Sequence, residues 1–440
     1  MNTRRQFLQH SLAIAGTLAV PGTLRSQSAS RRIVLGVLGL GGRGINLAKM
    51  FAREADVEIA WLCDPDSRRA ARALAAFESA SGRSPEFAQD FRRVLDDREV
   101  DAVVIATPDH WHGLATVLAC QAGKDVYVEK PLSHNAREGR QMVAAARKYR
   151  RVVQVGIQSR SAPYVHAARE YLRSGALGEI RLVRVYNLME HPLTPLGPAG
   201  AVPVGFDYDL WCGPAALLPY HPDRRWLNYG EFSCGPIPGD AVHQLDLARL
   251  LLEDPAAPRV VSHQGGIDVL RDGRDTPDTQ VATFDYGSVR LHFEGALWMP
   301  YMRKTDMADR DRDTFPNWPF SSTKLEVLGT RGLMLLGRHG GGWQVFDANQ
   351  QPIAAQHGRQ ADQLHLRNFL DCIRTRELPV ADVAQGHAST LLCHLANAAW
   401  RAGNRTLRFD PETETFPEDP AANEFLGRTY RAPWRFPDPV

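Results

Sequence analysis

The 440-residue chain is poor in lysine. Of its 52 basic residues only six are lysines, so arginine is the default cation and each lysine is a marked choice. Its six cysteines are scattered, with no pair at CxxC spacing. That pattern gives no zinc site and no disulfide framework, although an oxidising compartment would permit pairing. The formal net charge is only +2, so no field of one sign exists to attract a nucleic acid or a membrane surface. Nothing in the sequence approaches a membrane span, and there are no internal repeats or low-complexity tracts. No pair of carboxylates announces an ordinary glycosidase. These absences leave a globular chain long enough for two domains with sizeable cores.

Residues 1–30 read as an export signal to be set apart from the fold. Arg4-Arg5 is followed by an apolar stretch, Leu12 to Val20, and by small residues near Ser26 to Ser30. Twin arginines mark the pathway that exports proteins already folded, often around a cofactor, and predict a periplasmic location. The alternative is a basic tail that is never cleaved.

The stretch that organises the rest runs from Arg32 to Asp64. Ile33 to Leu38 reads as a buried strand. The chain then passes through Gly39-Leu40-Gly41-Gly42-Arg43-Gly44 into a helix carrying Ile45, Leu47, Ala48, Met50 and Phe51. A second strand, Val57 to Leu62, ends near Asp64. In that order Gly39 allows a tight turn, Gly41 lets a pyrophosphate approach the backbone, and Gly44 lets helix and strand pack closely. The helix start, with Gly42 and Arg43, offers N–H groups and positive dipole to phosphates. Asp64 stands where a carboxylate would accept from the hydroxyls of the adenosine ribose. It would repel a 2′-phosphate and so favours NAD, while Arg68 and Arg69 leave NADP open.

Helix and strand segments continue to alternate as far as Ile157, with a helix at 113–122. This implies a doubly wound parallel sheet over 31–157, with ligands bound beyond the carboxyl ends of its strands. Polar residues gather at those ends: Thr107-Pro108-Asp109-His110-Trp111-His112 after one strand, Glu129-Lys130-Pro131 after the next. Asp109, His110 and His112 are metal-ligand types, but no other cluster converges on them, so no metal is expected. From 158 to 440 strands follow one another without intervening helices. That implies a second domain on a mainly antiparallel sheet, closed by two helices and a wrapping tail.

The ATP and EKP strand ends downstream of GxGxxG resemble the Gfo/Idh/MocA oxidoreductases. So do VGIQSRS (155–161), YDLWCGPAALLPY (208–220), GDAVHQLD (239–246), RDTPDTQ (274–280) and LHLRNFLDCIRTRELP (364–379). The export signal is similar to that of the secreted branch found in carbohydrate-degrading bacteria. The resemblance implies that Thr107, Pro108, His110 and His112 line the cofactor cleft, with Glu129 near the nicotinamide ribose. It also implies that Lys130 contacts nicotinamide and substrate, and that the open face of the second sheet forms dimers or tetramers.

Lys130 has an argument of its own. A compact amine at a strand end, pinned by Pro131 through a peptide bond that can be cis, is suited to hold a substrate hydroxyl. Hydride transfer also needs a proton acceptor, and His243 in a glycine-led helix is the candidate. Relatives often carry an aspartate four residues before this histidine. Here that position is Gly239, and Asp240 stands one residue on. Gln158 and Arg160 read as reaching cofactor or substrate, or else as a domain-linking turn. Long loops over 190–235 and 299–321 hold Trp211, Tyr220, Arg224, Trp226, Tyr229, Trp298, Tyr301 and Trp318, of which Tyr220 and Trp226 are the candidates to stack on a sugar. His365 and Asn368, a turn apart, border that pocket or bond within their helix. The expected activity is NAD(H)-dependent oxidoreduction at a hydroxyl-bearing carbon of a sugar, glycoside or polyol, with the cofactor held tightly. The alternatives are a redox-neutral glycosidase acting by transient oxidation, and a non-catalytic sugar-binding protein.

Overall fold

A computed structural model describes residues 32–81, 84–437 and 440, and the signal segment read from the sequence lies outside them. Alternation of buried strands with amphipathic helices begins at once. The elements are β1 (Ile33–Leu38), α1 (Gly42–Phe51), β2 (Val57–Cys63), α2 (Arg68–Ser81), β3 (Glu86–Ala88), α3 (Arg92–Asp96), β4 (Ala102–Ile105), α4 (Asp109–Gln121), β5 (Asp125–Val128), α5 (Ala136–Lys148) and β6 (Val153–Val155). All six strands pair in parallel in the order β3-β2-β1-β4-β5-β6. The chain leaves β1 toward β3 and returns to β4 on the other side. The ends of β1 and β4 therefore flank the switch point at which such sheets bind ligands.

Helix α4 begins at Asp109, four residues before the position read from the sequence. Pro108 is extended at its N-cap, and the otherwise unpaired first-turn amide of His110 donates to the Phe232 carbonyl at 3.2 Å. Asp109, His110 and His112 consequently lie on a buried helix and not in an open loop.

The second sheet is assembled from the rest of the chain. After α6 (Pro163–Arg173) come β7 (Ile180–Leu188), α7 (Tyr208–Cys212), α8 (Pro236–Leu251), β8 (Val260–Gly266), β9 (Thr279–Asp285) and β10 (Arg290–Ala296). Then follow β11 (Lys324–Gly329), β12 (Gly332–Gly337), β13 (Trp343–Phe346), β14 (Pro352–Gln356), α9 (Asp362–Thr375), α10 (Val383–Arg401) and β15 (Thr406–Arg408). Their order is β14-β13-β12-β11-β7-β10-β9-β8-β15, antiparallel except where β7 and β10 run together. Strands β13, β14 and β15 are only four, five and three residues long, and β14 and β15 are largely exposed. Along β9 and β10 buried and part-exposed residues alternate. The buried face packs on α6, α8 and α10.

Helix α8 starts at Pro236, before Gly239. Gly235 turns the chain at φ +105, and Pro236 and Pro238 occupy first-turn positions where no N–H is required. Helix α9 crosses back to the first sheet. Phe369 meets Phe51 at 6.2 Å and Tyr127 at 5.8 Å, edge to face. The two sheets thus share apolar core as well as a cleft.

Several histidines are buried as neutral rings in this frame. His365 donates from Nε2 to the Val155 carbonyl at 2.9 Å and accepts at Nδ1 from the Ser161 hydroxyl at 2.8 Å. Burial pushes its pKa down to about 4, and that of His394 to about 3. Below the ordinary histidine pKa of about 6.5 the unfolded chain takes up protons that the folded chain refuses. Stability should therefore fall as pH drops, by up to about 1.4 kcal/mol per pH unit for each ring. Melting temperatures measured by calorimetry should decline from neutrality toward about pH 4, and a flat or rising profile would contradict this assignment.

Candidate active site

The glycine turn has room for a backbone and no more. Gly39 sits at φ +89, and its N–H donates to the Cys63 carbonyl at 2.8 Å. A Cβ on Gly39 would lie 2.7 Å from the Ala106 carbonyl, and one on Gly44 would lie 1.9 Å from that of Gly39. Gly41 differs, because a Cβ there meets only Arg69 Nη1 at 3.9 Å. It caps α1 beside open space, with no acidic residue in the first turn to oppose an anion. Asp64 closes the turn by accepting from the Leu40 amide at 2.8 Å and the Asp66 amide at 2.9 Å, with Arg69 Nε at 3.6 Å. Burial pushes its pKa up, against those amides and Arg69.

A cavity of about 400 Å³ opens over this turn, lined by Gly41, Asp64, Arg69, Phe206, Trp211 and Tyr220 among others. Tyr208 and Trp211 stack there at 5.6 Å. Arg68 is held by Asp66 at 2.7 Å and lies over the Phe206 ring at 5.8 Å. Aromatic walls, an unfilled cradle at Gly41 and a carboxylate with lone pairs to spare fit the adenosine and pyrophosphate of a dinucleotide.

A larger cavity of about 810 Å³ continues from it, and Arg43, Thr107 and Trp226 border both. Oγ1 of Thr107 is buried without a partner among the described residues. Lys130 lines this second space, and the Lys130–Pro131 bond is cis. Its Nζ donates to the Gly239 carbonyl at 2.7 Å, linking the end of β5 to the first turn of α8. Glu129 accepts from Arg43 Nε at 2.7 Å and from Gln158 at 3.4 Å. Burial would raise its pKa, but Arg43 and Lys130 outweigh that and hold it down. Arg43 reaches on to Asp362 at 3.3 Å, so the residue that borders the cradle cavity also ties α1 to α9.

His243 lines the same cavity from α8, and its Nδ1 has no partner among the described residues. Burial, then Arg338 and Lys130, push its pKa well below the usual range, so the ring is neutral. Asp240, one helical turn before it, is paired with Lys304 at 2.9 Å and Arg338 at 3.5 Å. Burial opposes ionisation, but those cations keep the Asp240 carboxyl well below the ordinary carboxylate range.

Other expected site residues stand elsewhere. His110 is fully buried, with ring nitrogens 3.2 Å from the Phe232 carbonyl and 2.9 Å from that of Trp211. His112 lies 2.7 Å from the Pro131 carbonyl and 2.9 Å from that of Thr107, so it braces the Lys130 turn against the end of β4. Neither borders the cavities, because α4 starts early enough to turn both inward. Arg160 is enclosed by Asp246 at 2.8 Å and by Asp254, a structural ion pair that keeps it from cofactor or substrate. Asn368 accepts from the Val380 amide at 3.0 Å, and His365 is bonded as above, so that pair serves packing. Tyr220 lines the dinucleotide side, and Trp226 alone of the two stacking candidates reaches the larger cavity. Sequence reasoning missed Arg338, Lys304 and Asp362. The lysine had a signal in its rarity, whereas one arginine among so many had none.

The parallel sheet and its glycine cradle define a dinucleotide-binding fold. Two family models, "Oxidoreductase family, NAD-binding Rossmann fold" over 33–157 and "Oxidoreductase family, C-terminal alpha/beta domain" over 338–436, together match just over half of the chain. The chain belongs to the Gfo/Idh/MocA family and is NAD-binding. A 1,5-anhydro-D-fructose reductase of Ensifer adhaerens is 28% identical over 265 residues, which is 60% of this chain and 64% of that protein. A glycosyl hydrolase family 109 protein of Stenotrophomonas maltophilia is 33% identical over 132 residues, 29% of each. The chain therefore spans less than two thirds of the length of these curated relatives. Among solved structures, levoglucosan dehydrogenase in complex with NADH and levoglucosan shares the fold, with a TM-score of 0.63 over 86% of this chain and 99% of that one, at 19% identity.

The two glycines should separate cradle from packing. Gly41→Ala should fold normally by circular dichroism yet bind NAD at least about tenfold more weakly, a loss of about 1.4 kcal/mol. Gly44→Ala should destabilise the fold itself. Unchanged NAD affinity in Gly41→Ala, measured by calorimetry, would contradict the placement of the pyrophosphate.

Proposed function

We propose that this protein is an NAD(H)-dependent oxidoreductase that interconverts a hydroxyl and a carbonyl on a sugar, glycoside or polyol. The observation that carries the reading is the junction at Thr107. There the glycine cradle opens into a cavity bordered by both Lys130 and neutral His243. Bound NAD supplies the two-electron acceptor for a hydride leaving the carbinol carbon. Lys130, aimed by its bond to the Gly239 carbonyl, donates to the substrate oxygen and favours its developing negative charge. The imidazole of His243, unprotonated and without a protein partner at Nδ1, takes the hydroxyl proton. Reduction runs the same transfers in reverse. Asp240 keeps negative charge beside the resulting imidazolium.

The twin-arginine segment supports export to the periplasm with the cofactor already loaded and held tightly. A cofactor that cannot be exchanged must be restored within the site, either by a second substrate or within a redox-neutral cycle. Similarity to a glycosyl hydrolase family 109 protein keeps the second reading open: a glycosidase that oxidises, eliminates and reduces back. Sugar released with no acceptor present and no net change of the cofactor would favour it.

Lys130→Met and His243→Asn should each lower kcat by about two to four orders of magnitude, the range for loss of a positioned acid or base. NAD affinity should stay within about twofold, since neither side chain lines the cradle. Steady-state rates with an active sugar, together with NAD titration, test this. Variants that retain full kcat would overturn the assigned roles.

A further inference from the structure

The charges around the first turn of α8 do not balance. Asp240 is a single, part-buried carboxylate. Lys304 lies 2.9 Å from it and Arg338 3.5 Å. Lys130, bonded to the adjacent Gly239 carbonyl, is a third cation at the same turn. The imidazoles nearby, His243 and His339, are held neutral by burial and by the same arginine. The large cavity as a whole is lined by seven basic side chains and four carboxylates. Arg43 is matched by Glu129 at 2.7 Å and Asp362 at 3.3 Å, and Arg310 lies among Asp362, Asp240, Asp306 and Asp311, so that Asp240 is called on by a further cation. Lys304 and Arg338 thus share Asp240, while Lys130 lies also beside Glu129 and Asp109, and the cavity keeps an excess of cations.

Arg338 is the least satisfied of them. Its side chain is only 12% exposed, and it borders the large cavity. A guanidinium carries five donors. Those described are spent on the distant edge of Asp240 and on a contact with His339. Burial makes its charge costly. The dinucleotide's phosphates belong at the α1 cradle in the other cavity, and the nicotinamide ring has no anionic group to offer here. Asp362 acts on Arg338 only at a distance, and an anionic group on the second ligand would complete its donors.

We infer that the substrate is an acidic sugar, whose carboxylate or phosphate ester is received by Arg338 beside Asp240 and Lys304. The fork geometry of the guanidinium suits either anion in a bidentate pair. The inference rests on the function proposed above for the choice of a sugar, but the anion site stands on its own geometry.

The test uses the NADH-loaded full chain and calorimetric titration with D-glucuronate, D-glucose 6-phosphate and D-glucose. One of the two anions should bind at least about tenfold more tightly than the neutral sugar, the scale of one charge-assisted hydrogen bond. The tighter of the two identifies the anionic group. Arg338→Met should erase that preference while leaving affinity for D-glucose within about twofold, and Arg338→Lys, which keeps charge but not the fork, should fall between. Equal or better binding of D-glucose by the unmodified protein would overturn the inference without any variant. So would a preference that survives in folded Arg338→Met. Oxidation is read separately, as the rise in nicotinamide absorbance when each sugar is added to the chain loaded with NAD+. Tight anion binding with no sugar ever oxidised would refute the proposed activity and leave the anion site standing.

Discussion

The hydrogen bond from Lys130 Nζ to the Gly239 carbonyl is where the two halves of the molecule meet chemically. One end is fixed by a parallel strand, β5, whose register with β4 places it at the carboxyl edge of the first sheet. The other end is fixed by α8, which lies across the second sheet and is buried along nearly its whole length. An amine held at both ends can meet a substrate oxygen without first losing rotamer entropy. The remaining supports converge on the same turn: His112 ties the Pro131 carbonyl to that of Thr107, and Arg43 ties Glu129 to Asp362 on α9.

Burial and charge act in opposition throughout the cleft, and their balance differs from group to group. Glu129 and Asp240 are both enclosed, yet both stay ionised because arginine and lysine outweigh the desolvation cost. Asp64 and Asp109 are enclosed with weaker compensation, and burial raises both. His243 is driven neutral by burial and by the cations that ionise its neighbour Asp240. A base that is neutral beside a carboxylate that is charged is the arrangement proton abstraction requires.

Much of this was legible in the sequence because it rests on local rules. The strand–glycine–helix order from Ile33 to Asp64 admits few conformations, and the ends of fully apolar strands had to hold Thr107 and Lys130. Lys130 stood out through the scarcity of lysine. What failed to show were effects of long range. The early starts of α8 at Pro236 and of α4 at Asp109 are the exception, set by neighbouring prolines and a glycine that apolar periodicity does not display. The early start of α4 turned His110 and His112 from cleft residues into braces. Arg160 resembles a ligand-binding arginine until its partners appear, and those are 86 and 94 residues away along the chain. Likewise nothing local announces that Lys304 and Arg338 meet at Asp240.

The central claim is that a hydride passes between a sugar carbon and NAD held in this cleft. The most direct measurement is isotopic: protein carrying its own bound cofactor is mixed with a sugar fully deuterated on carbon, in ordinary water, and the cofactor is then extracted and weighed by mass spectrometry. The account predicts that cofactor reduced by the sugar and quenched before any acceptor is added carries one deuterium, received as deuteride, and that the label leaves the cofactor again once the deuteride passes to an acceptor or returns to the sugar. Bound NAD that becomes reduced by the deuterated sugar without gaining deuterium, or that is never reduced by any sugar, would contradict it.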